Sequence, residues 1–529
     1  MKRGVFLTAF AMILLLTGCS AASNAGGSES AAESENHAQT EEQSSAAAKD
    51  GASTGSAQDS ASSEPAPPKR KPKPSALPNG EPYDDMYFDH TGTNPFVTAE
   101  EDPLSTFAVD VDTGSYTIAR NYVSRGELPP KDAIRVEEFI NYFDMRYEAP
   151  AKKAFTIHVD GGDSPFGEGY KLVRIALKGK EIEASDRKPV NLTFVIDVSG
   201  SMNREDRLEL VKKSLKLLVD SLSGSDQIAI VTYGSDARAV LEPVSLEEKD
   251  EVLDAIESLT PGGSTNAEEG LKLGYEVADK QFSGAAVNRV ILCSDGVANV
   301  GETSAEGILK QIEDYAERGI TLTSVGVGMS NYNDVMMEKL ADQGNGAYAY
   351  VDSFSEARRL FVDDLTGTLQ TIARDVKIQV EFDPKRVDRY RLIGYENRDV
   401  ADEDFRDNRV DAGEVGAGHS VTALYEVKLI DTEDDAADFG EVRVRYLDEK
   451  SGRTEEWSEP LRIGNKISRD LAFLASVAEY AELLRGSYWA KNGSMKDVLQ
   501  LLEASAETEQ EHQFAAMVKD TVALLRSDD

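Results

Sequence analysis

Strand-like and helical segments alternate between residues 189 and 371, and this alternation restricts the fold more than any other feature of the sequence. Residues 191–198 form an apolar run, after which leucine and valine recur at helical spacing from Leu208 to Leu222. Further strand-like runs lie at 227–233, 237–244, 289–293 and 321–327, and helical segments lie at 246–258, 266–279, 304–317 and 355–369. The pattern predicts an α/β fold whose mostly parallel sheet is covered by helices on both faces.

Three loops at the predicted carboxyl ends of these strands carry hydroxyl and carboxylate side chains. Ligands of open α/β sheets bind beyond such strand ends, so these loops form the first candidate site. The residues are Asp197, Ser199 and Ser201 after the first strand, Thr265 in the glycine-rich turn 262–266, and Asp295 after the strand at 289–293.

This set resembles the metal-ion-dependent adhesion site of von Willebrand factor A domains, in which D-x-S-x-S is followed by a threonine and then an aspartate. The resemblance implies a Rossmann-like A domain over residues 189–371. It implies that Ser199 and Ser201 bind a metal directly, and that Thr265 does so directly or through water. Asp197 and Asp295 are implied to contribute to metal binding directly or through the groups that bind the metal.

The chemistry of these side chains independently favours a hard divalent cation. Carboxylate and hydroxyl oxygens suit magnesium, manganese or calcium rather than zinc, and magnesium is the ion we expect. Two carboxylates only just neutralise such an ion, and five protein oxygens leave room for a further ligand. The start of the helix expected after Ser201 also favours an anion. We therefore predict recognition of a protein partner through an exposed Asp or Glu.

The sequences on both sides of the A domain carry a second resemblance. Residues 105–116 read STFAVDVDTGSY, residues 135–143 read RVEEFINYF, and residues 416–426 read GAGHSVTALYE. These stretches resemble the N-terminal and C-terminal regions of bacterial proteins of the YfbK type, which place an A domain between them. The resemblance covers nearly all of residues 83–529 and implies architecture more than activity.

Strand-like segments lie before the A domain, at 154–159 and 170–178, and after it, at 376–382, 390–395, 420–429 and 440–446. Neither set makes a core alone, so together they predict one β-sandwich into which the A domain is inserted. The predicted divisions are the N-terminal region at 83–153, the two parts of the sandwich at 154–188 and 372–465, and a C-terminal helical bundle at 466–529.

The first residues have the pattern of an export signal. Lys2 and Arg3 precede an apolar run, and Leu16-Thr17-Gly18-Cys19 resembles the lipobox of bacterial lipoproteins. We therefore expect residues 1–18 to be a signal peptide and Cys19 to be lipidated. Residues 19–82 are rich in Ala, Ser, Glu and Pro, a composition that predicts a disordered tether. The expected location is outside the cytoplasm, anchored in a cell membrane or outer membrane.

Charge and cysteine content restrict the partners and the covalent structure. The formal net charge is −38, which repels phosphate backbones and argues against a nucleic-acid partner. The sequence has 2 cysteines, so lipidation of Cys19 leaves Cys293 with no cysteine for an internal disulfide.

A binding protein is the function that these features favour over an enzyme. The sequence has no P-loop and no H-E-x-x-H motif, and none of its 5 histidines is paired with a plausible nucleophile. One alternative is a scaffold of an envelope assembly in which the metal only stabilises the fold. Another is an aspartic-type hydrolase using Asp112 of the triplet Asp112-Thr113-Gly114, although no second such triplet is present. The structural interpretation of this triplet, without catalysis, is an edge strand followed by a turn.

Overall fold

The computed structural model describes residues 86–527, except 205, 297–303, 330–331 and 431–437. The predicted signal peptide, Cys19 and the predicted tether lie outside the described residues. In the part of the chain that is described, no helix is long and apolar enough to cross a membrane.

The N-terminal region combines short strands with two helices and is followed by a long hairpin. Its elements are β1 (Val97–Thr98), β2 (Leu104–Ala108), α1 (Gly114–Ser124), α2 (Val136–Asn141), β3 (Phe155–Asp163) and β4 (Lys171–Gly179).

The A domain follows with the predicted alternation of strands and helices. Its strands are β5 (Val190–Asp197), β6 (Gln227–Tyr233), β7 (Ala237–Ser245), β8 (Val287–Ser294), β9 (Ile320–Val327) and β10 (Tyr348–Val351). Its helices are α3 (Leu208–Ser221), α4 (Lys249–Ser258), α5 (Ala267–Lys280), α6 (Ala305–Glu317), α7 (Asp334–Gln343), α8 (Phe354–Arg358) and α9 (Leu365–Leu369), with a π-helical turn at Arg359–Asp363.

These strands form a six-stranded sheet in the order β10-β9-β8-β5-β6-β7, parallel except for β7. Each face of the sheet has its own apolar core. Phe194 and Ile196 pack on one face with α3 and α4, whereas Val195 packs on the other with Leu271 of α5 and Leu340 of α7. The predicted α/β fold is therefore confirmed. The sequence analysis missed α7 and β10, which lie between its last two predicted segments.

After the A domain, the described residues form six strands and three α-helices. The strands are β11 (Thr371–Phe382), β12 (Val387–Ile393), β13 (Gly413–Gly416), β14 (Ser420–Leu429), β15 (Gly440–Asp448) and β16 (Arg453–Pro460). The helices are α10 (Arg469–Arg485), α11 (Met495–Ser505) and α12 (Glu509–Ser527).

Strands from before and after the A domain share two packed sheets. The first has the order β1-β12-β14-β4-β3, in which Ser420 of β14 stands opposite Lys178 of β4. The second has the order β13-β11-β15-β16, with β2 pairing to β11. Val173 of β4, Ile378 of β11 and Val444 of β15 are buried in the common core. The A domain thus lies between β4 and β11 in the chain, and both of these strands belong to the sandwich.

The C-terminal helices pack with α1 and α2 against the outer side of the first sheet. The rings of Phe143, Phe473 and Phe514 contact one another, and they belong to the same apolar core as Leu424 of β14. Tyr488 and Trp489 are large apolar residues between α10 and α11, yet they are exposed by 62% and 36%. The reason is that they follow the end of α10, where the chain turns outward, and Trp489 packs on Phe96.

Replacing Phe514 with alanine tests the importance of this helical cap. Phe514 is fully buried, with ring centroids 5.4 Å from Phe143 and 5.3 Å from Tyr480. We expect Phe514→Ala to lower the free energy of unfolding by about 3–5 kcal/mol. Urea titration measures the change, with Phe282→Ala as a control because Phe282 is 42% exposed. Equal losses in the two variants would contradict the packing described here.

Candidate metal centre

The three polar loops meet at the carboxyl edge of the A-domain sheet. Asp197 is the last residue of β5, and the register of β5 with β8 pairs Ile196 with Cys293, which brings Asp197 beside Ser294. The glycine-rich turn is held against the first loop by two backbone hydrogen bonds. Gly262 N donates to Val198 O at 2.6 Å, and Gly200 N donates to Gly263 O at 3.0 Å.

The side chains around Asp197 are connected by hydrogen bonds. Asp197 Oδ1 accepts from Ser199 N at 2.8 Å, and Oδ2 accepts from Ser294 Oγ at 3.0 Å. The Ser199 and Ser201 hydroxyls are 2.9 Å apart. Asp197, Ser199, Thr265 and Asp295 are at most 2% exposed, whereas Ser201 is half-buried. Solvent therefore reaches the site on the side of Ser201.

The two carboxylates of the site repel each other in a buried environment. Burial and the charge of Asp295 raise the pKa of Asp197 to about 7. A bound divalent cation would remove this cost, since it stabilises both carboxylates in their charged form. Within the described residues, no three His, Cys, Asp or Glu side chains form a metal-binding group, so binding here would depend on hydroxyl oxygens. The donor set fits magnesium or manganese.

Arg207 belongs to the site, although the sequence analysis did not identify it. Its Nη1 donates to Asp295 Oδ2 and, at 3.0 Å, to the Ser201 carbonyl, while Nη2 donates to the Met329 carbonyl at 2.7 Å. Arg207 is 2% exposed and is therefore buried among these loops. Arg207 compensates part of the negative charge of Asp197 and Asp295. An isolated arginine before an apolar helix gives no sequence pattern that reveals this contact.

The start of α3 differs from the sequence-based expectation. Ser201 lies within a short 3-10 turn, Gly200–Met202, and α3 begins only at Leu208. The helix expected from the apolar spacing after Leu208 is present, but its start is not beside Ser201, because the chain first makes the turn that carries Arg207 to Asp295. The helix dipole of α3 consequently does not support anion binding beside Ser201.

Asp112 lies in a separate ion network at the boundary between the N-terminal region and the A domain. Its Oδ1 accepts from Tyr348 N at 2.9 Å, and its Oδ2 lies 3.4 Å from Arg398 Nη2. Gly114 begins α1 instead of completing a turn after an edge strand, so that part of the sequence interpretation is wrong. Asp112 is held by a backbone amide and an arginine, which is the arrangement of a structural carboxylate.

Three family models match successive parts of this chain. The von Willebrand factor type A domain model matches residues 191–363, a von Willebrand factor model matches residues 82–174, and the model "Uncharacterized protein YfbK, C-terminal" matches residues 367–524. The solved von Willebrand factor type A protein from Catenulispora acidiphila covers 71% of this chain and 91% of its own, with 16% identity and a TM-score of 0.42.

The fold and the domain match define a protein built around a von Willebrand factor type A domain, a class that mediates protein–protein interaction or adhesion. Protein YfbK of Escherichia coli (strain K12) is 39% identical over 438 residues, which are 77% of this chain and 75% of the relative. Protein sll0103 of Synechocystis is 26% identical over 64% of this chain and 83% of its own length. The chain belongs to the YfbK family.

Asp197 makes the stability of the metal-free protein depend on pH. Its pKa is about 7 in the folded protein against about 4 in an unfolded chain, so its contribution is fully present below pH 4 and is lost as the pH rises through 7. We expect Asp197→Asn to gain stability relative to the parent protein between pH 4 and 7, by on the order of a few kcal/mol. Urea titration of chelator-treated samples measures the difference in unfolding free energy between the variant and the parent protein.

Asp226→Asn is the control for that series, because Arg187 lowers the pKa of Asp226. Its stability difference from the parent protein should stay constant between pH 5 and 8. If Asp197→Asn gave a constant difference across the same range, the repulsion between Asp197 and Asp295 would be excluded.

Arg207→Met tests the ion pair with Asp295. The variant leaves a buried carboxylate without its guanidinium, so the metal-free protein should lose about 3–5 kcal/mol of unfolding free energy at pH 8. Arg358→Met is the control, since Arg358 is exposed at the end of α8. An unchanged midpoint for Arg207→Met would show that Arg207 does not stabilise the site.

Proposed function

We propose that this protein is a membrane-anchored binding protein that holds a divalent cation at Asp197, Ser199, Ser201, Thr265 and Asp295 and recognises a protein partner through an exposed Asp or Glu. Magnesium is the expected ion, and manganese or calcium are alternatives. The observation that carries the proposal is the meeting of two buried carboxylates and neighbouring hydroxyls at one sheet edge, with solvent access beside Ser201.

Arg207 changes the charge balance of the site in favour of an anionic partner. Asp197 and Asp295 alone would neutralise a divalent cation, but Arg207 already compensates part of their charge. With the cation bound, the site therefore becomes net positive. A carboxylate from another protein restores neutrality in a buried environment, where the attraction between opposite charges is strong. The cation would supply a direct bond to that carboxylate.

The hydrogen bonds of the metal-free site prepare the donors for this role. Ser294 and the Ser199 amide hold both oxygens of Asp197, and Arg207 holds Asp295. These contacts fix the carboxylates before a cation arrives, so less conformational freedom is lost on binding. Together with the proposed lipid at Cys19 and the proposed tether, this arrangement would present a fixed binding surface away from a membrane.

A stabilising metal without a partner is the competing function, and the burial of Asp197 and Asp295 is the observation that favours it. The two functions differ in what the metal changes. A stabilising ion raises the unfolding temperature and nothing else, whereas a bridging ion makes capture of another protein depend on the metal. The half-buried position of Ser201 favours the bridging function.

Metal-dependent capture tests the proposal. The immobilised chain should retain an envelope protein in magnesium and release it in chelator, and retention should fall at least tenfold in Ser199→Ala. Ser258→Ala is the matched control, because Ser258 is an exposed serine at the end of α4. Equal capture with magnesium and with chelator would overturn the bridging function. A metal-dependent rise in unfolding temperature without metal-dependent capture would establish the stabilising one.

A further inference from the structure

A cavity of about 320 Å³ lies where the A domain meets the N-terminal region and the sandwich. Arg289, near the amino end of β8, lines it, as do Lys178 at the end of β4 and His419 just before β14. The candidate metal centre is at the carboxyl ends of β5 and β8, so the cavity and the metal centre are at opposite edges of the A-domain sheet. The volume is in the range of small-molecule sites.

Arg289 is buried in this wall, and its hydrogen-bond partners are neutral. It is 3% exposed, its Nε donates to Thr321 Oγ1 at 3.1 Å, and its Nη1 donates to Thr323 Oγ1 at 3.2 Å and to the Thr368 carbonyl. Among the described residues, no carboxylate lies within ion-pairing distance of it. The other buried arginines of these ranges, Arg135, Arg174, Arg207 and Arg391, each pair with a carboxylate.

Lys178 shares the same environment. It is 6% exposed, and its Nζ donates to the Gly418 carbonyl at 2.6 Å. It too forms no ion pair with any carboxylate in the described ranges. A buried charge without a counter-ion is costly, so two of them facing one cavity indicate that an anion is missing from the wall.

The remaining charges of the cavity do not supply that anion. Arg359 is paired with Glu356 and Asp364, so Asp364 is already used. Glu414 acts electrostatically on Arg289 but forms no ion pair with it, and burial and neighbouring acids raise the pKa of Glu414 to about 8. The two other acids of the lining, Asp144 and Asp363, are exposed to solvent.

The cations of the cavity act on its histidine in the expected direction. Burial lowers the pKa of His419, Asp364 raises it, and Arg359, Lys178 and Arg289 lower it further. Burial also lowers the pKa of Arg289 to about 10, so this side chain still carries its charge at neutral pH. The interior is therefore positive at pH 7, and the hydroxyl of Ser420 adds a neutral donor to its lining.

We propose that this cavity is a binding site for a small free anion with a carboxylate or phosphate group, held by Arg289 and Lys178. Because Lys178 belongs to the sandwich and Arg289 to the A domain, the anion joins the two. Its binding stabilises their contact, and the proposed metal-dependent function is not required for it.

Thermal unfolding of the full chain tests this site with sodium phosphate and sodium succinate as probes. Chelator is present throughout and ionic strength is held constant with sodium chloride, so that the metal centre and general screening do not contribute. We expect a saturable rise in unfolding temperature with at least one probe. A rise with phosphate alone or with succinate alone identifies which anion chemistry the site accepts. No saturable rise with either probe overturns the proposal.

Two variants locate the effect. Arg289→Gln and Lys178→Met should each raise the probe concentration needed for the half-maximal rise in unfolding temperature at least tenfold. The exposed control Arg358→Gln should respond like the parent protein. Circular dichroism checks that each variant folds. If Arg289→Gln does not fold, Lys178→Met alone decides the test. An unchanged response in a folded Lys178→Met variant would contradict the site. An unchanged response of the protein with Asp197→Ala would show that the anion is not bound at the metal centre.

Discussion

The structure of the candidate site depends on the repulsion between Asp197 and Asp295, two carboxylates buried at the edge of one sheet. A core of this kind tolerates such a pair only where other groups compensate it. Arg207 compensates Asp295, and backbone and hydroxyl donors hold Asp197. This compensation of the negative charge is partial, so a cation would further stabilise the two carboxylates. In the proposed function, a cation bound there would attract an acidic side chain of another protein.

Buried ion pairs also connect the A domain to the regions around it. Arg120 of α1 pairs with Asp352 and Glu356 at the start of α8, and Arg135 before α2 pairs with Asp334 of α7. These ion pairs hold the N-terminal region against the A domain. Arg289 and Lys178 lie at the same boundary without carboxylate partners in the described residues, which sets their cavity apart from the rest of this interface.

The sequence predicted the features that depend on local pattern. Apolar runs located β5, β6 and β8, because buried parallel strands are continuously apolar, and the D-x-S-x-S spacing identified Asp197, Ser199 and Ser201. Features that depend on distant contacts were missed. Arg207 meets Asp295 across 88 positions of the chain, and Tyr348 N reaches Asp112 across 236.

Location of a bound manganese ion is the most direct test of this account. Crystals grown with chelator and then soaked in manganese chloride should show one anomalous peak between Ser199, Ser201 and Thr265, within coordination distance of the two serine hydroxyls. Asp197→Ala crystals treated in the same way should lack the peak. A manganese peak elsewhere with none at these residues, or a peak that persists in Asp197→Ala, would contradict the claim that the A domain binds its partner through a metal.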